Sequence, residues 1–96
     1  MEDPGAAWLG LALARRDEAR ADAAILNAMW VAPEARGSGA VVLLCDACAD
    51  WAAARGLGAL TLGVLAGNAR ARRAYESAGF TVTGDDDGDL VMTRLL

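Results

Sequence analysis

The stretch PEARGSGAVVLLCDACADWA, residues 33–52, decides the fold. Its proline stops the strand-like run AAILNAMWVAP (23–33), since proline cannot donate to a sheet ladder. From Ser38 to about Arg55 the period changes. Val41, Leu44, Cys45, Cys48, Trp51 and Ala52 recur at three- and four-residue spacing, while Asp46, Asp50 and Arg55 fall on the other side. That is the pattern of an amphipathic helix. The chain therefore passes from strand to helix through Arg36, Gly37, Ser38 and Gly39.

Reading outward from this junction gives the remaining elements. Upstream, AAWLGLALARR (6–16) alternates, with Leu9, Leu11 and Leu13 on one face, and the charged turn DEARAD (17–22) leads into residues 23–33. The two runs predict an antiparallel hairpin. Downstream, Gly56 and Gly58 end the helix, and ALTLGVLA (59–66) is a short apolar strand. NARARRAYESAG (68–79) is a second helix, capped by Asn68 at its start and Gly79 at its end. FTVTG (80–84) and LVMTRLL (90–96) form a closing hairpin turned at Asp87-Gly88. The class is α/β with a mixed sheet, in the order β-β-α-β-α-β-β, and residues 23–66 form a right-handed parallel crossover.

A chain of 96 residues is one small domain, here 1–96. A domain of this size buries only about 60–65% of the surface its unfolded chain exposes, so the core is modest. The composition is globular, at 55% hydrophobic, and all nine basic residues are arginine. The net charge of −4 argues against non-specific binding to nucleic acid or to an anionic membrane. No apolar run approaches the ~18 residues that cross a bilayer, and the acidic start MEDPGAAW does not read as a signal peptide. A cytoplasmic location follows as the expectation. Cys45 and Cys48 lie mid-helix on the apolar side, away from the N-terminus that a redox pair would need. Zinc needs about four ligands, and the chain has no histidine or further cysteine. The two cysteines read as small core residues and no metal is expected. DDDGD (85–89) lacks the ligand spacing and terminal glutamate of a calcium loop, and reads as a charged hairpin tip.

Helix N-termini carry unpaired N–H groups and the positive end of the macrodipole, so they hold phosphates. Glycine lets the backbone come close to such a ligand, and Arg36 adds a fixed charge. RGSG is thus a candidate pyrophosphate cradle. It can equally be a connecting turn. The GxxxxGK[ST] loop and the GxGxxG fingerprint are both absent.

A second segment, GNARARRAYESAGF, places Asn68, Ala71, Tyr75, Gly79 and Phe80 in the pattern N-x-x-A-x-x-x-Y-x-x-x-G-F. Together with VAPEARGSGA and the order of elements, it resembles the GNAT superfamily of N-acetyltransferases over roughly residues 6–96. The resemblance implies that acetyl-CoA is the co-substrate, with its pyrophosphate on Arg36, Gly37, Ser38, Gly39 and Ala40. The pantetheine arm would lie along backbone groups of Met29 and Val31, the Met29 amide polarising the thioester carbonyl. Tyr75 matches the tyrosine that protonates the leaving thiolate, Asn68 an asparagine near the pantetheine, and Arg73 a contact to the nucleotide phosphate. The implied reaction moves an acetyl group to an amine, on a small molecule or a protein, by direct attack on the thioester. The alternative is a non-catalytic acyl-CoA-binding or oligomerisation module.

Three departures from the family pattern stand out. Val41 occupies a position usually held by Gly or Ala. Ile25 stands where some members carry a glutamate base. The usual N-terminal strand and two helices are missing, so the chain reads as a short form expected to form a homodimer or to assemble with a partner chain. Apart from the family match, Tyr75 would read as packing with Ala71 and Phe80. Arg70 and Arg72 read as a solvated face, and Trp8, Trp30 and Trp51 as core or interface residues.

Overall fold

The computed structural model describes residues 10–31 and 39–96. Its elements are β1 (Gly10–Arg16), β2 (Ala23–Val31), α1 (Ala40–Ala54), β3 (Ala59–Leu65), α2 (Ala69–Ser77), β4 (Thr81–Asp86) and β5 (Asp89–Leu95). Their order is the one expected. Trp8, Leu9, Arg36, Gly37 and Ser38 lie outside the described residues.

Local chemistry fixes most element boundaries. Asp17 turns the first hairpin: its carboxylate accepts from the Ala19 amide at 2.9 Å, and its own amide donates to the Ala23 carbonyl. Gly56, at φ 76, follows the last turn of α1. There the Leu57 amide reaches the Ala52 carbonyl and the Gly56 amide the Ala53 carbonyl, the paired bonds of a Schellman cap. The same motif ends α2. Gly79 has φ 93, and the Phe80 and Gly79 amides donate to the Tyr75 and Glu76 carbonyls. The apolar contact that accompanies such caps is the Tyr75–Phe80 edge-to-face pair, with centroids 5.9 Å apart. Asp87 and Gly88, at φ 53 and 92, make the two-residue turn between β4 and β5, as positive φ at both positions requires.

Among the described residues the five strands form one mixed sheet in the order β1-β2-β3-β5-β4. Only β2 and β3 run parallel, and their ladder covers three pairs, Ala23↔Ala59, Ala24↔Leu60 and Ile25↔Thr61. The other neighbours are antiparallel. The core lies between the sheet and the two helices. Alanines and cysteines line the contact with α1: Ala24 on the sheet, and Cys45, Cys48, Ala49 and Ala52 on the helix. Small side chains on both surfaces let the helix approach closely. Phe80, Leu60 and Met92 supply the bulk and are fully buried. Each contributes roughly 1.5–3 kcal/mol relative to an exposed side chain.

The helix face expected from the sequence is the face that packs. Cys45, Cys48 and Ala52 are buried, with Val41 and Trp51 against the same cluster. Both cysteines are free thiols in the core. Burial, followed by the neighbouring Cys48, pushes the Cys45 thiol up to about 11. Strand β1 alternates between its two faces. Ala12 and Ala14 pack against the core, whereas Leu13 is 58% exposed. In an alternating strand only one face can meet α1, and the alanines leave it room.

Candidate active site

Past Ile25, strands β2 and β3 take different partners. The remainder of β3 pairs with β5 as far as Leu65↔Asp89. The remainder of β2 pairs with β1, and the register there slips: Ala14 faces Leu26 while Leu13 faces Ala28. Asn27 is thus the extra residue of a β-bulge. A bulge bends its strand and increases the local twist, and this one sits where β2 leaves β3.

A cavity of about 510 Å³ opens beside this separation, lined by Met29, Trp30, Val31, Val41, Asn68, Arg70, Ala71, Ala74 and Tyr75. One wall is the far half of β2. Another is the first turn of α1, and the third is a face of α2. On that helix Arg70, Ala71, Ala74 and Tyr75 stand at i, i+1, i+4 and i+5, which is one side of a helix.

Each wall carries a chemical property. Helix α1 starts at Gly39, at φ 87, which has no side chain to cap the first amides, and no acidic residue stands in its first turn. A helix start of this kind presents N–H groups and the positive end of the dipole, which suit an anion. A Cβ at Gly39 would meet nothing within 4 Å, so glycine serves the backbone conformation and leaves the approach open. Helix α2 is capped differently. The Asn68 side-chain oxygen accepts from the Ala71 amide at 3.1 Å, and the residue also lines the cavity. Tyr75 is half-buried, and burial, followed by the charge of Cys45, holds its phenol above the ordinary value. It stays protonated through neutral pH.

The structure brings Met29, Val31, Asn68 and Tyr75 to one cavity and sets Gly39 and Ala40 at the mouth of α1, directly before the cavity-lining Val41. Arg73 is exposed and stands apart from the lining, whereas Arg70, read from sequence as solvated, lines it. Its neighbour Arg72 pairs with Glu76 along the helix at 3.5 Å. Helical spacing from Ala71 and Tyr75 could have found Arg70. Trp30, 46% exposed, also lines the cavity; no local signal marks it, because its place depends on the bulge. Ile25 is half-buried where β2 and β3 are still paired. Among the described residues no cluster of three or more His, Cys, Asp or Glu side chains could hold a metal. No helix there is long and apolar enough to cross a membrane.

The geometry can be set beside known proteins. The acetyltransferase (GNAT) family model matches residues 4–80. No curated protein matches the chain. Among solved structures, nourseothricin acetyltransferase is 31% identical, with a TM-score of 0.82 over 91% of this chain and 57% of its own. The ribosomal-protein-S18-alanine N-acetyltransferase from Escherichia coli is 27% identical, with a TM-score of 0.72 over 91% of this chain and 61% of its own. The PaiA N-acetyltransferase from Thermoplasma acidophilum, solved in complex with coenzyme A, shares the fold at 22% identity. Its TM-score is 0.74 over 80% of this chain and 48% of its own. The chain thus spans about half to three fifths of the length of these structures.

Proposed function

The chain belongs to the acetyltransferase (GNAT) family, and on that premise we propose that it transfers an acetyl group from acetyl-CoA to an amine. The observation that carries this reading is the separation of β2 from β3 beside one cavity that gathers Met29, Val31, Asn68 and Tyr75. A sheet edge opened in this way offers backbone groups to an extended amide-bearing arm, and the adjoining start of α1 offers its N–H groups to a pyrophosphate. A similar fold in the T. acidophilum enzyme was solved with coenzyme A, which supports the same donor here.

In the proposed reaction the amine nitrogen attacks the thioester carbonyl carbon. The Met29 amide stabilises the developing oxyanion. The C–S bond breaks, the sulfur takes the Tyr75 proton, and the amine gives its own proton to water. Gly39 and Ala40, with Arg36, Gly37 and Ser38 before them in the chain, hold the pyrophosphate, and Arg73 contacts the nucleotide phosphate. Ile25 supplies no carboxylate for the amine, which favours the second reading, a module that binds acyl-CoA without turnover. The 1–96 unit acts as one domain in the cytoplasm and joins a second copy or a partner chain at β1, an edge strand among the described residues, with Leu13 exposed.

Calorimetry with CoA and thiol release with a panel of amines test the reading. Arg36→Ala is expected to lose about 1.5–3 kcal/mol of CoA binding. Tyr75→Phe should lower turnover about 10²–10⁴-fold at unchanged CoA affinity. Wild-type protein that binds CoA but releases no thiol selects the module, and protein that binds no CoA overturns both readings. Light scattering at low micromolar concentration tests the assembly, which a stable monomer excludes.

A further inference from the structure

We infer that Arg94 is a positioning residue for Tyr75: with Asp46 it clamps the C-terminal turn of α2, on which Tyr75 stands, against α1 and β5. The inference rests on Tyr75 acting as the proton donor proposed above.

Arg94 projects from β5 and makes two contacts with one guanidinium nitrogen. It donates to the Asp46 carboxylate on α1 at 2.7 Å and to the Ala78 carbonyl at 3.1 Å. Ala78 is the C-cap of α2, so the charge sits at the negative end of the helix dipole, where a cation is favoured. The arginine stem lies across Gly79, where a Cβ would stand 3.6 Å from its Cδ. That distance is an ordinary van der Waals contact, so glycine there serves the positive φ of the cap.

The clamp differs from the other ion pairs among the described residues. Arg20–Asp22 is 3.9 Å apart and mostly exposed, and Arg72–Glu76 lies within one helix. Exposed pairs of those kinds contribute about 0–1 kcal/mol. The Arg94–Asp46 pair joins residues far apart in sequence, and the arginine side chain is only 26% exposed.

The clamp acts where Tyr75 is held. The Tyr75 carbonyl receives the Phe80 and Ala78 amides at 3.0 Å each, and its ring rests edge-on against Phe80. Releasing the Ala78 carbonyl loosens both attachments. The cavity-facing side of α2 starts at Asn68, whose cap at the other end of the helix is unaffected. Loss of the clamp should therefore move the hydroxyl more than it moves the parts of the cavity that bind CoA.

The test is a double-mutant cycle. Arg94→Met keeps the stem and removes the charge. It is expected to lower kcat about 10–100-fold, the range for a displaced group, with an unchanged KM for acetyl-CoA. In the Tyr75→Phe background the same substitution should change kcat little, and Arg94→Lys should recover part of the loss. An equal fall in both backgrounds, or a loss of acetyl-CoA affinity with kcat intact, overturns the inference. Tyr75 is the only tyrosine in the chain, so ¹³Cζ-tyrosine labelling gives one resonance whether or not the protein turns over. Arg94→Met and the milder Asp46→Asn should shift that resonance and lower its titration midpoint, because a loosened ring gains water. A resonance and midpoint that stay in place overturn the assignment. Wild-type protein without acyl transfer would remove the acetyltransferase reading and leave the resonance to decide the Arg94 assignment.

Discussion

The two halves of β2 differ in almost every physical respect. From Ala23 to Ile25 the strand is paired on both edges, with β1 material on one side and β3 on the other. Its first two residues, Ala23 and Ala24, are small and fully buried. From Leu26 to Val31 the strand follows β1 alone through a bulge, and its residues Met29, Trp30 and Val31 line a cavity. One half is sheet interior and holds the domain together. The other half has no parallel ladder to β3 and borders the cavity instead. A domain of this size has a narrow stability margin, so the opening depends on the closed half being tightly packed.

The comparison breaks most readily at Leu60, which is fully buried opposite Ala24 in the closed half. Leu60→Ala should cost about 2–5 kcal/mol, as for other large-to-small core changes, and is read as a fall in Tm or in the denaturation midpoint. Met29→Ala in the open half should cost less stability and should weaken CoA binding. If the two variants lose equal stability, the division of the strand is wrong.

Alkaline pH sharpens the same contrast. Burial raises the Cys45 thiol from 9.0 to about 11 and raises Tyr75 as well. The folded state thus keeps protons that the unfolded chain releases. This contribution is fully present below pH 9 and is lost as pH rises through about 11. Denaturant midpoints measured from pH 8 to 11 should fall, and Cys45→Ala should flatten the slope. CoA in the cavity should leave the Cys45 part of the slope in place, since that thiol belongs to the dry core.

A smaller effect is expected at the cavity wall. Asn68→Ala removes the side-chain acceptor for the Ala71 amide and should cost about 1 kcal/mol of stability. Asn68→Asp keeps an acceptor and adds a charge suited to the helix start, so it should hold stability. It should nevertheless weaken CoA binding, because it removes a side-chain donor and adds a negative charge at a residue that lines the cavity. Equal CoA affinity in wild type and both variants would confine Asn68 to its capping role.

What the sequence determined by itself was the set of elements and their ends. Asn68 as a cap, Gly56 and Gly79 after the helices, and Asp87-Gly88 at the hairpin are fixed by hydrogen bonds and φ angles spanning a few residues, so they are legible where they stand. The helical face of Cys45, Cys48 and Ala52 is equally local, since a 3.6-residue period needs no partner to be seen. The tertiary structure alone decided the bulge at Asn27, and with it the cavity and the presence of Trp30 in it. It also decided that Arg70 lines that cavity, that Leu13 turns outward, and that Arg94 reaches Asp46 and Ala78. Each of these depends on register or packing between segments distant in the chain, and no pattern confined to one segment carries that information.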